Sequence, residues 1–243
     1  MRLRPGLNVI ALGALAGFIA GGLLALLNNT IILPYTDALT QQWLGYLEAE
    51  GLYDEGEFNA LSQSILVISI ALPLALGTTA GVLVSLIYSF LRQRVSGDPV
   101  KITMVAIPFL WFVLTVIPAL KYPPDAEATF DPAKAPLYYS LLAAYTAVSA
   151  GAAVGCIALF SKMQRNSKWF GAGALYLGVI ATASFLFPTM PHDDSLFPLQ
   201  ILVPWRAASA EVMTLFWIAL GLLSGLLLKY GTGKARRKEA KAE

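Results

Sequence analysis

The sequence predicts an all-α integral membrane protein, a bundle of about six transmembrane helices. Three observations carry this. Of 243 residues, 57% are hydrophobic and 13% charged, whereas soluble domains run near ~25% charged. Apolar runs at roughly 7–31, 61–91, 102–120, 137–160, 169–188 and 208–228 are mostly close to the ~20 residues an α-helix needs to cross a ~30 Å hydrocarbon core. Finally, charge alternates between the gaps. Fourteen of the 17 bases fall at Arg2, Arg4; Arg92, Arg94, Lys101; Lys162, Arg165, Lys168; and Lys229, Lys234, Arg236, Arg237, Lys238, Lys241. Loops rich in Lys and Arg stay in the cytoplasm, so the expected topology has six crossings of the cell membrane with both termini in the cytoplasm. The other gaps hold eleven acids against Lys121, Lys134 and Arg206, a net of −8, while the basic segments net +11. An outer face of that sign concentrates cations near it, although solvation alone also explains such loops.

Taken in order, the first run follows Arg2 and Arg4. It is longer than the ~7–15 residues of a signal-peptide core and has no Ala-x-Ala site, so it reads as a retained helix. Gly13, Gly17 and Gly21 recur every four residues on one face. Gly77, Gly81 and Ser85 do so in the second run, Gly151 and Gly155 in the fourth, and Gly221 and Gly225 in the sixth. Small residues at this spacing let helix backbones approach closely in lipid, so a tight bundle over residues 1–230 is expected. The segment 34–60 reads as an outer loop, with QQWLGYLEAE forming a short interfacial helix. Pro73 should kink the second helix, with Thr78 and Thr79 placed to satisfy a freed carbonyl. At an offset of 70 residues Gly81 meets Gly151, Phe90 meets Phe160 and Pro118 meets Pro188, which suggests a parallel two-helix repeat. Residues 231–243 read as a charged cytoplasmic tail that touches anionic lipid heads rather than nucleic acid.

Few residues offer chemistry. The lone Cys156 permits neither an internal disulfide nor a cysteine metal cage. Glu211 is the one acid expected within membrane depth, where acids are costly and usually functional. Three readings stay open for it: an ion pair with Arg206 behind Trp205, cation binding, or exposure at the mouth. His192-Asp193-Asp194 follows Pro188 and Pro191. Imidazole with carboxylates suits a divalent transition metal, yet a proline-shaped solvated loop explains the same residues. Asp125 and Asp131 lie in a second proline-stiffened outer loop, formed by Lys121-Tyr122-Pro123-Pro124-Asp125 together with Asp131-Pro132. No phosphate-binding Gly-x-x-x-x-Gly-Lys loop and no His-Glu-x-x-His motif are present, and no enzymatic activity is expected.

KYPPDAEATFDPAKAPLYYSLLA (121–143) and VPWRAASAEVMTLFWIALGLLSGLL (203–227) resemble two segments of CbtA, a family of probable cobalt transporter subunits. In the second, the matching positions are Trp205, Arg206, Ala208, Ser209, Trp217 and Gly221. The glycine-spaced first helix ending in Leu-Pro is similar as well. The chain departs from the family in lacking histidine-rich loops and in having Phe130 where glycine is expected. The resemblance implies a membrane subunit of a cobalt uptake system linked to cobalamin supply. It also implies a short single-span partner with a histidine-rich end.

The sequence thus leads to a membrane subunit of a divalent metal uptake transporter, with cobalt as the transported ion and no permanently bound cofactor. Asp125, His192, Asp193, Asp194 and Glu211 are the candidate metal residues. Arg206, Trp205, Pro73, Gly13, Gly17, Gly21, Gly81 and Gly151 are the candidate structural ones. Self-association is left open. The alternatives are a non-transporting structural subunit of a larger membrane complex and a permease for a small neutral solute.

Overall fold

The computed structural model describes residues 5–93, 97–161, 168–190 and 196–239. In chain order its elements are α1 (Pro5–Leu27), a π-helical turn (Asn28–Ile32), α2 (Leu33–Ala49), α3 (Glu55–Arg92) and α4 (Pro99–Trp111). A second π-helical turn (Phe112–Val116) follows, then α5 (Ile117–Lys121), α6 (Ala126–Phe130), α7 (Ala135–Ser161), α8 (Lys168–Leu186) and α9 (Leu199–Glu239). Six helical stretches are long and apolar enough to cross a membrane: Asn8–Ala49, Val67–Arg92, Pro99–Lys121, Ala135–Phe160, Trp169–Leu186 and Leu199–Gly231. All six expected crossings are therefore present, and the chain is a multi-pass all-α membrane protein. By Cα proximity it divides into two compact units, Met1–Phe109 with Leu199–Glu243, and Leu110–Pro198.

The first crossing does not stop where a loop was expected. Pro34 stands in the first turn of α2, where its missing N–H is tolerated. The chain absorbs it with a π-turn in which the Leu33 N–H donates to the Asn28 carbonyl five residues back. The Asn29 side-chain amide donates to Ala25 O at 2.8 Å and the Thr30 hydroxyl to Leu26 O at 2.9 Å. Helix then continues to Ala49 and ends at Gly51, whose φ of +67° suits glycine. At ~1.5 Å per residue, the 42-residue stretch Asn8–Ala49 is about 63 Å long, twice the hydrocarbon thickness. Most of the segment expected as a loop over 34–60 is thus helical extension, with Leu39 and Trp43 buried along one face. The second π-turn has the same cause, since it ends just before Pro118 in the first turn of α5.

Within the first unit, α1 and α3 lie antiparallel with interlocked glycines. A Cβ added at Gly77 would fall 2.6 Å from Gly21 Cα, one at Gly17 2.9 Å from Gly81 Cα, and one at Gly13 2.8 Å from Ser85 Cβ. Gly21 lies beneath the Pro73 carbonyl. In a bilayer this close approach replaces the hydrophobic driving force that helices have in water. Pro73 sits inside a continuous α3. The Thr78 and Thr79 hydroxyls donate to Leu74 O and Ala75 O at 2.7 and 2.9 Å. These are carbonyls one turn behind each threonine, and neither is the Ser69 carbonyl that Pro73 deprives of its donor, so these two bonds do not supply the expected compensation.

The same unit joins α4 to α9. A Cβ at Gly225 would fall 2.7 Å from Val100 Cα, and the Thr103 hydroxyl donates to Gly221 O at 3.1 Å. At the basic end Lys229 Nζ donates to Asp98 Oδ2 at 2.7 Å. That hydrogen bond, more than any other influence, holds the Asp98 carboxyl below the usual carboxylate range. A depressed folded-state pKa contributes stability above the unfolded carboxylate range and loses it as pH falls through the folded value. Asp98→Asn should therefore lower the thermal midpoint slightly at pH 7, since exposed pairs contribute little. The difference from wild type should shrink as pH falls below the usual carboxylate range, as read by denaturation in detergent over a pH series.

In the second unit, α7 packs on α8 around Tyr145, Tyr176 and Ala153. The expected glycine packing is absent there. A Cβ at Gly151 or Gly155 meets nothing within 4 Å, and only Gly171 fits closely, against the Phe160 ring. Spacing marks where backbones can approach, but a facing helix must also present a matching small surface. Gly81 and Gly151, equivalent by the 70-residue offset, thus stand in different surroundings.

Candidate functional site

The polar contacts of the second unit run mainly from its acidic end towards the middle of its helices. At that end, residues 121–138 form a tied cap. Lys121 Nζ donates to Ser184 O at 2.9 Å and stands 5.9 Å above the Tyr122 ring. The Tyr122 hydroxyl donates to Pro188 O and that of Tyr138 to Pro123 O, each at 2.8 Å. Burial, and secondarily Tyr145, raises the Tyr122 pKa above its ordinary value, so this phenol stays neutral. Phe130 stacks against Phe197 at 6.2 Å.

Asp125 opens α6 as its N-cap. One oxygen accepts from the Glu127 N–H at 2.9 Å and, more weakly, from the Ala128 N–H at 3.4 Å, satisfying donors that a helix start leaves unpaired. The cap turns Glu127 inward, where it is only 1% exposed. Its Oε2 accepts from Lys134 Nζ. Its Oε1 is buried without a hydrogen-bond partner among the described residues. The hydrogen bond to Glu127 is the main reason the Lys134 pKa is raised, so this ammonium stays charged.

Below the cap the polar groups are neutral. The Ser184 hydroxyl donates to Ile180 O at 2.9 Å. A hydroxyl has one proton to give, so Tyr145 is the donor in its 2.6 Å contact with Ser184 Oγ. Deeper still, Ser149, fully buried, donates to Val113 O at 2.7 Å and so accepts from the Tyr176 hydroxyl at 2.8 Å. Val113 belongs to the π-turn Phe112–Val116, a distortion frequent at functional sites. Ser149 and Tyr176 lie near the middle of spans Ala135–Phe160 and Trp169–Leu186, so this node sits near the bilayer midplane. Eleven residues of α7 separate Tyr138 from Ser149, a depth of about 16 Å.

The expected residues are dispersed. His192, Asp193 and Asp194 lie outside the described residues. The residues flanking them touch the cap, Pro188 through Tyr122 and Phe197 through Phe130. Asp125 caps a helix. In the first unit, Glu211 is exposed, Arg206 half-buried and Trp205 buried. No ion pair joins Arg206 to Glu211 among the described residues. Five residues place them about 140° apart around a helix, whereas neighbours stand three or four apart. Among the described residues no three His, Cys, Asp or Glu side chains are grouped to hold one metal ion. Glu127, inconspicuous in sequence, is the most deeply buried acid among the described residues. An acid in the first turn after an Asp N-cap was the only signal in the sequence, and it shows a helix start rather than burial.

A family model described as "Probable cobalt transporter subunit (CbtA)" matches residues 7–229. No curated protein and no solved structure matches the chain.

Proposed function

The chain belongs to the family of probable cobalt transporter subunits (CbtA), and from that premise we propose that it forms the membrane-embedded part of a divalent metal uptake system carrying cobalt. The family match over residues 7–229 carries the proposal. In this reading the acidic loops face outward and gather the cation, and the basic loops and both termini face the cytoplasm. Asp125 and Glu127 meet the ion at the cap, with Asp193, Asp194 and His192 supplying further ligands. The neutral hydroxyls of Tyr145, Ser184, Tyr176 and Ser149 then provide a polar route towards the midplane without a fixed charge that would hold the ion. A short single-span partner with histidines supplies the nitrogen ligands that the chain lacks apart from His192.

A second reading, a structural subunit that carries no ion, draws support from the lack of a grouped set of metal-binding side chains among the described residues. Radiolabelled cobalt uptake under cobalt limitation separates the two. Cells with the gene should accumulate cobalt faster than cells without it, and equal rates would favour the structural role. Orientation is tested in a Cys156→Ser background with an impermeant thiol reagent on intact cells. Asp54→Cys should label and Arg94→Cys should not; the reverse pattern would overturn the proposed direction.

A further inference from the structure

The cap holds a carboxylate whose burial its lysine only half explains. Glu127 is 1% exposed and its Oε1 meets no partner among the described residues. A buried carboxylate oxygen without a donor is costly, and each such group calls for a reason. The cation on the other oxygen is not fixed in the core. The Lys134 side chain is 43% exposed and leaves from a three-residue turn between Asp131 and α7, where its N–H donates to Asp131 O at 3.1 Å. Asp125 and Asp131 add to the field that Lys134 feels. Three carboxylates against one ammonium leave this corner at −2, an excess that a single positive charge cannot neutralise.

We propose that Glu127 is a binding site for a hydrated divalent cation and that Lys134 is its tethered occupant, displaced when the ion arrives. Oε1 already faces no competitor among the described residues, and withdrawal of Lys134 into solvent frees Oε2. Asp125 and Asp131 each use an oxygen on backbone N–H groups, of Glu127 and Ala133 respectively. Each keeps its second oxygen for the ion's water shell, which fits the absence of a three-ligand group among the described residues. The lysine sets the affinity, because an ion that must first displace it binds more weakly by the fraction of time the site stands open. Only the identification of the ion as cobalt rests on the transport reading.

The test uses the full chain purified in detergent and Co²⁺ alone, read by equilibrium binding and by thermal stabilisation. Lys134→Met should bind Co²⁺ about tenfold more tightly than wild type, because the competitor is gone. Lys134→Arg should bind like wild type. Glu127→Gln/Lys134→Met, with no charge left to compensate, should fold and lose this binding. Equal dissociation constants for wild type and Lys134→Met would overturn the proposal, as would tight binding by the double variant. Should Lys134→Met fail to fold, Lys134→Gln, which also carries no charge, is read in its place against the same criteria. Uptake separates this inference from the transport reading. If cells take up cobalt with the same half-saturation for wild type and Lys134→Met, the tethered-occupant mechanism fails and the transport reading stands. If the purified variant binds more tightly yet no cells take up cobalt, the site stands and the transport reading fails.

Discussion

Gly17→Leu should abolish the stable fold of the first unit. A Cβ at Gly17 would already overlap the Gly77 carbonyl and stand 2.9 Å from Gly81 Cα. Backbone cannot step aside as a side-chain tip can, so α1 and α3 must separate along their length. Overpacking in tight cores costs about 1–3 kcal/mol and occasionally more; a leucine wedged between two backbones belongs at or beyond the upper end. The thermal midpoint in mild detergent should fall sharply and little monodisperse protein should be recovered. Gly151→Leu is the control. Its site is open, and the change should stay within about 0.5 kcal/mol, as for surface substitutions. Equal damage from both would show that the glycine interlock is not what holds α1 to α3.

The second large effect is expected at Ser149. Ser149→Val removes the donor to Val113 O and the acceptor for Tyr176, leaving two polar groups unpaired near the midplane. An orphaned buried group costs about 1–3 kcal/mol, and measured values within membranes run lower, so about 1–2 kcal/mol is expected. Cys156, the only cysteine, is buried in the same cluster as Tyr176 and serves as an internal reporter. Its rate of labelling by a small thiol reagent should rise about tenfold, the equivalent of ~1.4 kcal/mol. Combined with Tyr176→Phe, the loss should be less than additive, because the two changes remove one shared bond. Additive losses would mean that the two hydroxyls do not cooperate.

The crossings were legible because hydropathy acts over twenty residues and tolerates local error. The α1–α3 interlock was legible for a related reason: Gly13, Gly17 and Gly21 found a second small-residue row to meet. Gly151 and Gly155 have the same spacing, but a row of glycines records nothing about what faces it. Pro34 misled because proline ends helices in general, whereas one π-turn lets this helix pass it. Glu127 stayed hidden because loop acids are usually solvated; its burial depends on Ala126, Ala128 and Phe130 turning into the core together. An ion pair with Arg206 was one of three readings that the sequence left open for Glu211, and a spacing of five residues sets the two about 140° apart around a helix.

The two units are held by bonds of different kinds, and this bears on how each can move. Interlocked backbones in α1 and α3 cannot part without giving up the close approach of Gly13, Gly17 and Gly21 to Ser85, Gly81, Gly77 and Pro73. A contact between two hydroxyls can be traded for one to a passing water molecule while the helices stay where they are. Wetting the α7–α8 seam therefore needs far less free energy than loosening α1 from α3, and thermal fluctuations that admit polar cargo should be concentrated along Tyr145, Ser184, Tyr176 and Ser149.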